Sequence, residues 1–367
     1  VIRLSGAGVF RNVAVTVALL AVLHSVLLCP AASAADVPAP EPVCAISDER
    51  LGELSGLAAD DEHWYAVNDG GTRIEIFVLN RDCSVQRTIS DPTDPYDVED
   101  MARAEDGTLW LADTGDNRKQ RDTVALHEVR PDGGATLYRL TYPDGPHDAE
   151  ALLLDRAGVP YVITKNVLGI SEVYRPTGPL SSPGPTPLEN VGSLRLESTD
   201  TQGGPVGATG SVLVTGGAVS ADGTVIALRT YTDAYLYRVP DGDIPAALRS
   251  APVRVPLADE NQGEAIAFTP DGSLLSASEG TGEPVRSVPG ATGLVPAGDN
   301  GSAPEGASAA GDGSEPGEAA PSAPTAPSAP SSDSSGLPVL PGIAIAVVVA
   351  AVTVLGTGKL VRRRKRR

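Results

Sequence analysis

Sulfur, histidine and large aromatics are scarce in this chain. Its 367 residues include 3 Cys, 4 His, 1 Met, 3 Phe and 2 Trp, and aromatics make up 4% of the total. Three cysteines cannot build a disulfide-dense mini-domain, and no Cys-x-x-Cys pair marks a structural zinc site. Gly-x-Ser-x-Gly, His-Glu-x-x-His and phosphate-loop patterns are absent too, which leaves the motif-bearing serine hydrolases, zinc proteases and P-loop enzymes without support. Basic residues are few where they would matter. Nine of the 28 lie in 1–35 or 337–367, where no acid does, so 36–336 carries 19 basic against 47 acidic residues, net −28. A field of that sign repels nucleic acid and favours cations or basic partners, besides keeping an exported protein soluble.

What is abundant is Gly (40) and Pro (32), and the two ends account for much of it. Residues 1–35 carry Arg3 and Arg11, an apolar run over 13–28 and a small-residue stretch over 31–35, the three-part pattern of a secretory signal peptide. Residues 291–336 are Gly, Ser, Ala and Pro with scattered acids and no basic residue, a composition that reads as a stalk. An apolar segment over 337–358 follows, long enough for a transmembrane helix. The basic tail at 359–367 would stay cytoplasmic by the positive-inside rule. The expectation is a single-pass protein of the bacterial plasma membrane with its N-terminal domain outside.

The folded part is then 43–290, and it repeats. A strand, a tight turn, a second strand and a polar cluster recur from Ser55, Glu99, Glu150, Thr215 and Glu264, with turns at Asp106-Gly107, Gly158, Asp222-Gly223 and Asp271-Gly272. Intervals of 44 to 65 residues, with two further strands after most hairpins, predict an all-β propeller of five four-stranded blades, six if the long third interval hides another. The fifth copy is one strand short. A strand near Cys44 would complete it and close the ring, and in an exported protein Cys44 and Cys83 should bridge.

Antiparallel geometry puts the start of each first strand and the end of each second strand at one rim. Glu99, Glu150 and Glu264 share that mouth with Asp69, Asp113, Asp116, Asn117, Asn166, Asp233 and Glu279. Convergent carboxylates suit a hard cation such as calcium, for which Glu99, Asp113, Glu150 and Glu264 are the candidate ligands; repeated acids also cap strands and turns. The ligand-binding candidates are Asp69, Asp116, Asn117, Lys165, Arg229, Asp233 and Glu279. The two cations among them would either hold an anionic group or pair with neighbouring acids. His147, beside Asp148 and Glu150, is either a general base or a solvated loop histidine. Trp64, Trp110 and Tyr161 recur in second strands as packing between blades.

At Glu99-Asp100-Met101-Ala102, Glu150-Ala151-Leu152 and Glu264-Ala265-Ile266-Ala267, each followed by a turn and a strand, the chain resembles the exported phytase-like ("esterase-like") propellers, within the broader gluconolactonase-type group. The resemblance spans about 43–290 and implies a metal-dependent hydrolase where the mouth acids match; copies one and four carry Ser55 and Thr215 instead. Two functions therefore stand side by side. One is a membrane-anchored module that binds an extracellular ligand or envelope component, and the other a calcium-dependent phosphoesterase or esterase acting at the mouth.

Overall fold

The computed structural model describes residues 37–257 and 259–296. The expected signal peptide, nearly all of the expected stalk, and the expected transmembrane segment and basic tail lie outside them. Among the described residues no helix is long and apolar enough to cross a membrane.

Among the described residues twenty strands carry the fold, in runs of four. β1 (Glu41–Ala45) stands apart in sequence from its sheet. The first run is β2 (Leu54–Ala59), β3 (Trp64–Asn68), β4 (Ile74–Leu79) and β5 (Val85–Asp91). The second is β6 (Asp100–Arg103), β7 (Leu109–Asp113), β8 (Val124–Val129) and β9 (Ala135–Thr141). The third is β10 (Ala149–Leu154), β11 (Pro160–Thr164), β12 (Ile170–Pro176) and β13 (Thr186–Arg195). The fourth is β14 (Val214–Val219), β15 (Val225–Thr230), β16 (Asp233–Arg238) and β17 (Val253–Pro256). The last is β18 (Gly263–Phe268), β19 (Leu274–Ser278) and β20 (Pro284–Val288), and β1 pairs antiparallel with β20 to complete it. The second and third runs merge into one eight-stranded sheet through a short parallel contact, Thr186 beside Leu140.

The first strands β2, β6, β10, β14 and β18 each lie against the next, and β18 against β2, so the sheets form a propeller-like ring. Side-chain alternation explains how runs of thin sheet make a core. In β15, Ile226 and Leu228 pack toward β10 and β11, while Val225 and Ala227 pack toward β18 and β19. Each sheet thus feeds two apolar layers, and five such layers fill the spaces between neighbours. Trp64 and Tyr161 lie in two of them, and Trp110 packs at the edge of a third, stacked on Tyr138.

The hairpin turns share one construction. Asp106 Oδ1 accepts from Thr108 N, Asp222 Oδ1 from Thr224 N and Asp271 Oδ1 from Ser273 N. The glycine between takes a positive φ, +89° at Gly107, which β-carbon-bearing residues avoid. Cys44 and Cys83 are disulfide-bonded, stapling the closing strand to the β4–β5 turn.

Two boundaries differ from the sequence-based expectation. The closing strand starts at Glu41, two residues before the expected domain edge, because its pairing with β20 extends to Glu41↔Ser287. The fold continues past 290 through a turn at Ala291–Leu294, since Ala291 and Val295 fill the layer between the fourth and last sheets. The long third interval holds a ten-residue β13 and a 3-10 turn at Gly207–Val212, with no further strand among the described residues.

Candidate functional site

The mouth is built by a bulge repeated around the ring. Strand register slips at Ser55, Glu150, Thr215 and Glu264, each left unpaired between two paired neighbours. In the second copy Ala112 serves both Glu99 N (2.8 Å) and the pair with Asp100. A bulge re-aims its extra residue. These are the five positions at which the sequence repeats align. Ser55 and Thr215 use their hydroxyls to bond the next strand's backbone, at Glu99 O (2.7 Å) and Gly263 O (2.9 Å). The remaining three bulge residues are glutamates.

Glu99, Glu150 and Asp148 converge, with one carboxylate oxygen from each lying within 4.8 Å of the others, all buried. Asp148 leads directly into β10, and its Oδ1 accepts from Asp116 N at 2.7 Å. Lys165 Nζ lies 2.6 Å from both oxygens of Glu150 and 2.8 Å from the Tyr231 hydroxyl, against the Tyr231 ring. Asp97 approaches from the loop before β6. A β-carbon on Gly115 would stand 2.0 Å from Glu99 Oε1 and 2.6 Å from Asp97 Oδ2, so the absence of a side chain there lets both carboxylates in.

The electrostatics follow from burial and crowding. Burial, then Glu150, Asp97, Asp148 and Glu264, push the Glu99 carboxyl well above its ordinary range. No donor among the described residues hydrogen-bonds it. Burial raises Asp148 as well, against the pull of Lys165. Glu150 is pushed up to about 8, burial outweighing its lysine, and Lys165 is held well above the usual lysine range by Glu150 and the surrounding charges despite its burial. The Tyr142 hydroxyl is buried without a hydrogen-bond partner among the described residues, and burial followed by Asp148 raises its pKa. Among the described residues two polar groups thus lack a partner at a crowded carboxylate cluster, and the oxygen-only donor set suits a hard divalent cation.

Several expected site residues are placed elsewhere. Asp113, expected among the metal ligands, accepts from Tyr96 N, Asp97 N, Arg121 and His127, and these donors hold its pKa at about 2 despite burial. It anchors the loop that carries Asp97 rather than joining the cluster. Arg229, expected at the rim, is fully buried, paired with Glu260 at 2.7 Å and donating to the backbone of Ala265. Asp233 accepts from Thr199, Thr201, Thr232 and Arg254, at the outer side of its sheet where β16 meets β17. Asp116 Oδ2 caps Gln120 N and Arg121 N, and Asn117 is exposed in that same turn.

Asp69 and Glu279 follow β3 and β19 at the mouth, and Glu264 accepts from Gln262 Nε2 at 3.2 Å. Asn166 caps the β11–β12 turn through Leu168 N. His147 Nε2 lies 3.0 Å from both Asp144 Oδ1 and the Tyr174 hydroxyl, with Tyr142 packed edge-on against the two rings. The expected ligand set omitted Asp148 and Asp97. Asp148 was visible as the acid two residues before Glu150, whereas Asp97 is brought in by a loop that no repeat marks.

No family model and no curated protein matches the chain in sequence. Among solved structures it is similar to a Xanthomonas campestris gluconolactonase, at 13% identity over 65% of this chain and 72% of that one, TM-score 0.38. It is also similar to a Myxococcus xanthus glutaminyl cyclase, at 11% identity over 69% and 96%, TM-score 0.40. A PQQ-bound aldose sugar dehydrogenase from Streptomyces coelicolor is a third, at 10% identity over 68% and 97%, TM-score 0.37. These likenesses concern the arrangement of strands and go no further, and the propeller-like ring stands on this chain's own strand pairing.

Proposed function

We propose that this chain is a divalent-cation-dependent hydrolase whose site is the acidic mouth, with Glu99, Asp148 and Glu150 holding the cation and calcium the first candidate. The observation that carries this is the buried carboxylate triad, one member of which, Glu99, has no hydrogen-bond donor among the described residues. Like charges at such spacing oppose one another strongly in a poorly hydrated site, and an oxygen-seeking cation relieves that cost. When bound, it would supply Lewis-acid polarisation of an ester carbonyl or phosphoryl oxygen. The chain's own part is to hold the oxygens: Gly115 admits Glu99, the Asp116 amide orients Asp148, and Asp113 fixes the loop bearing Asp97. His147, adjacent to Asp148 in sequence and oriented by Asp144 and Tyr174, is the candidate proton carrier.

This reading takes the ring as a five-bladed propeller and the substrate as an ester or phosphoester, as in the phytase-like group. It also takes the whole as an extracellular domain on a single membrane anchor, which the disulfide supports, since such bonds persist in oxidising compartments. Calorimetry of the full chain with calcium and manganese tests the site: wild type should bind, and Glu99→Gln and Glu150→Gln should bind weakly or not at all. Absence of binding at millimolar metal would sink the proposal. An esterase and phosphatase panel on the same variants then tests the chemistry.

A second reading, a ligand-binding envelope module, is favoured by Tyr96 and Leu168. Both are large, exposed (63% and 74%) and carried on mouth-side loops. Cation binding without turnover of any ester or phosphoester would select it.

A further inference from the structure

Five residues directly follow the second strands of the five copies and ring the mouth: Asp69, Thr114, Lys165, Tyr231 and Glu279. Lys165 is the one cation among them, and its neighbour in the ring is the one tyrosine. The two touch, Nζ to hydroxyl at 2.8 Å, and both face Glu150. Glu150 is therefore shared between the carboxylates of Glu99 and Asp148 and this donor pair, with Asp148 and Glu264 also acting on the lysine.

We propose that Lys165 and Tyr231 are an oxyanion-receiving pair, uncovered when a divalent cation draws on Glu150, so that cation and ligand oxyanion bind the mouth cooperatively. This rests on the cation-site reading above. Glu150 is shared by two claims: both its oxygens bond Lys165 at 2.6 Å, and it is also one of the three carboxylates clustered within 4.8 Å. A carboxylate that turns an oxygen to a cation gives up part of its bond to the lysine. The ammonium, with its side chain 15% exposed, is then short of an acceptor at a site where water is scarce. A carboxylate or phosphoryl oxygen of the ligand restores it through a charge-assisted bond, with the Tyr231 hydroxyl as second donor. A neutral ligand leaves the lysine unpaired, and an amine is repelled by it. The competing account, in which Lys165 only neutralises Glu150, predicts a stability effect and no coupling between ligands.

The test is calorimetry on the purified full chain, titrating acetate and, separately, methylphosphonate, without and with saturating calcium. Calcium should tighten at least one of the two by about tenfold or more, and which one responds tells a carboxylate ligand from a phosphoryl one. Lys165→Met should still bind calcium yet show no calcium-dependent oxyanion binding, Lys165→Arg should keep part of it, and Tyr231→Phe should weaken it severalfold. Calcium binding with oxyanion affinity indifferent to it, or full coupling in Lys165→Met, overturns the inference while leaving the cation site standing. Absence of calcium binding in wild type overturns the cation site and the inference with it. If Lys165→Met fails to give a wild-type circular dichroism spectrum, Tyr231→Phe decides, and unchanged coupling there overturns the inference.

Discussion

Replacing Asp100 with alanine removes a carboxylate that ties three first strands together. Its Oδ2 accepts from Leu152 N on β10 at 2.7 Å and from Gly217 N on β14 at 2.9 Å, and its Oδ1 accepts from Met101 N at 2.8 Å. The residue is fully buried, so no solvent replaces it. In the other copies the same position holds Gly56, Ala151, Gly216 and Ala265, so Asp100 alone reaches across. Alanine leaves two cross-strand N–H groups without acceptors, and at about 1–3 kcal/mol each the expected loss is roughly 2–6 kcal/mol. Asparagine should cost less, since its oxygen can still serve both cross-strand donors while its amide nitrogen faces a third N–H. Denaturant unfolding followed by the fluorescence of Trp64 and Trp110, the chain's two tryptophans, measures this where refolding is reversible. A loss below about 1 kcal/mol for Asp100→Ala would refute the claim that this carboxylate spans the ring.

Gly115→Ala places a methyl against the Glu99 and Asp97 carboxylates, the movable ends of side chains, so calcium affinity should fall at least tenfold while the thermal midpoint changes little; calorimetry and a circular dichroism melt read the two. Cys44→Ser with Cys83→Ser opens a loop of sequence separation 39, and chain entropy sets the expected loss at about 4 kcal/mol, read as a fall in denaturation midpoint equal to that of reduced wild type. Calcium affinity should rise with pH as the raised carboxyls lose their protons, Glu150 doing so at about 8. In the cation-free protein, raised carboxyls bind protons more tightly folded than unfolded. The stability they contribute is full below the ordinary glutamate range and lost as pH rises through about 8. Saturating calcium should flatten that decline between pH 5 and 9, and an unchanged slope would argue against shared oxygens. His147→Ala should lower kcat on any substrate found while leaving calcium affinity within about twofold, if the histidine carries a proton and not the cation.

Much of the fold was legible because the repeat is carried by short-range signals. Asp-Gly turns mark three of the five copies and a paired run of strands marks all of them, and the missing strand of the last copy points to closure by the chain near Cys44. The site was less legible, for a reason visible at two residues. The position of Arg229 late in a strand points to the rim, but its side chain runs between sheets to Glu260, and a β-carbon on Gly263 would collide with it. The end of a second strand groups Asp113 with the glutamates, yet four donors converge on it. Position along a strand predicts which rim a residue occupies. Whether its carboxylate is spent on neighbours depends on partners such as Arg121 and His127, which no spacing rule connects to it.

Ser55 and Thr215 looked like departures that weaken an acidic site, since glutamate stands at the same position in the other three copies. The bulge gives them a different role. Every copy must aim one side chain at the axis and also join its first strand to the next, where ladder bonding stops. A short hydroxyl can do the second task, bonding the neighbouring backbone as Ser55 does at Glu99 O and Thr215 at Gly263 O. A glutamate is too long to fold back on that carbonyl and has no proton to give it when charged. In the second copy the joining falls partly to Thr114, which bonds Ala149 O at 2.7 Å, and to Asp100. Two bulge positions are thus assigned to closing the ring, and Ser55 holds the very peptide that presents Glu99. Ser55→Ala should therefore act at a distance, loosening Glu99 and weakening calcium binding although residue 55 contributes no ligand. Unchanged calcium affinity in a folded Ser55→Ala protein would separate closure from the site.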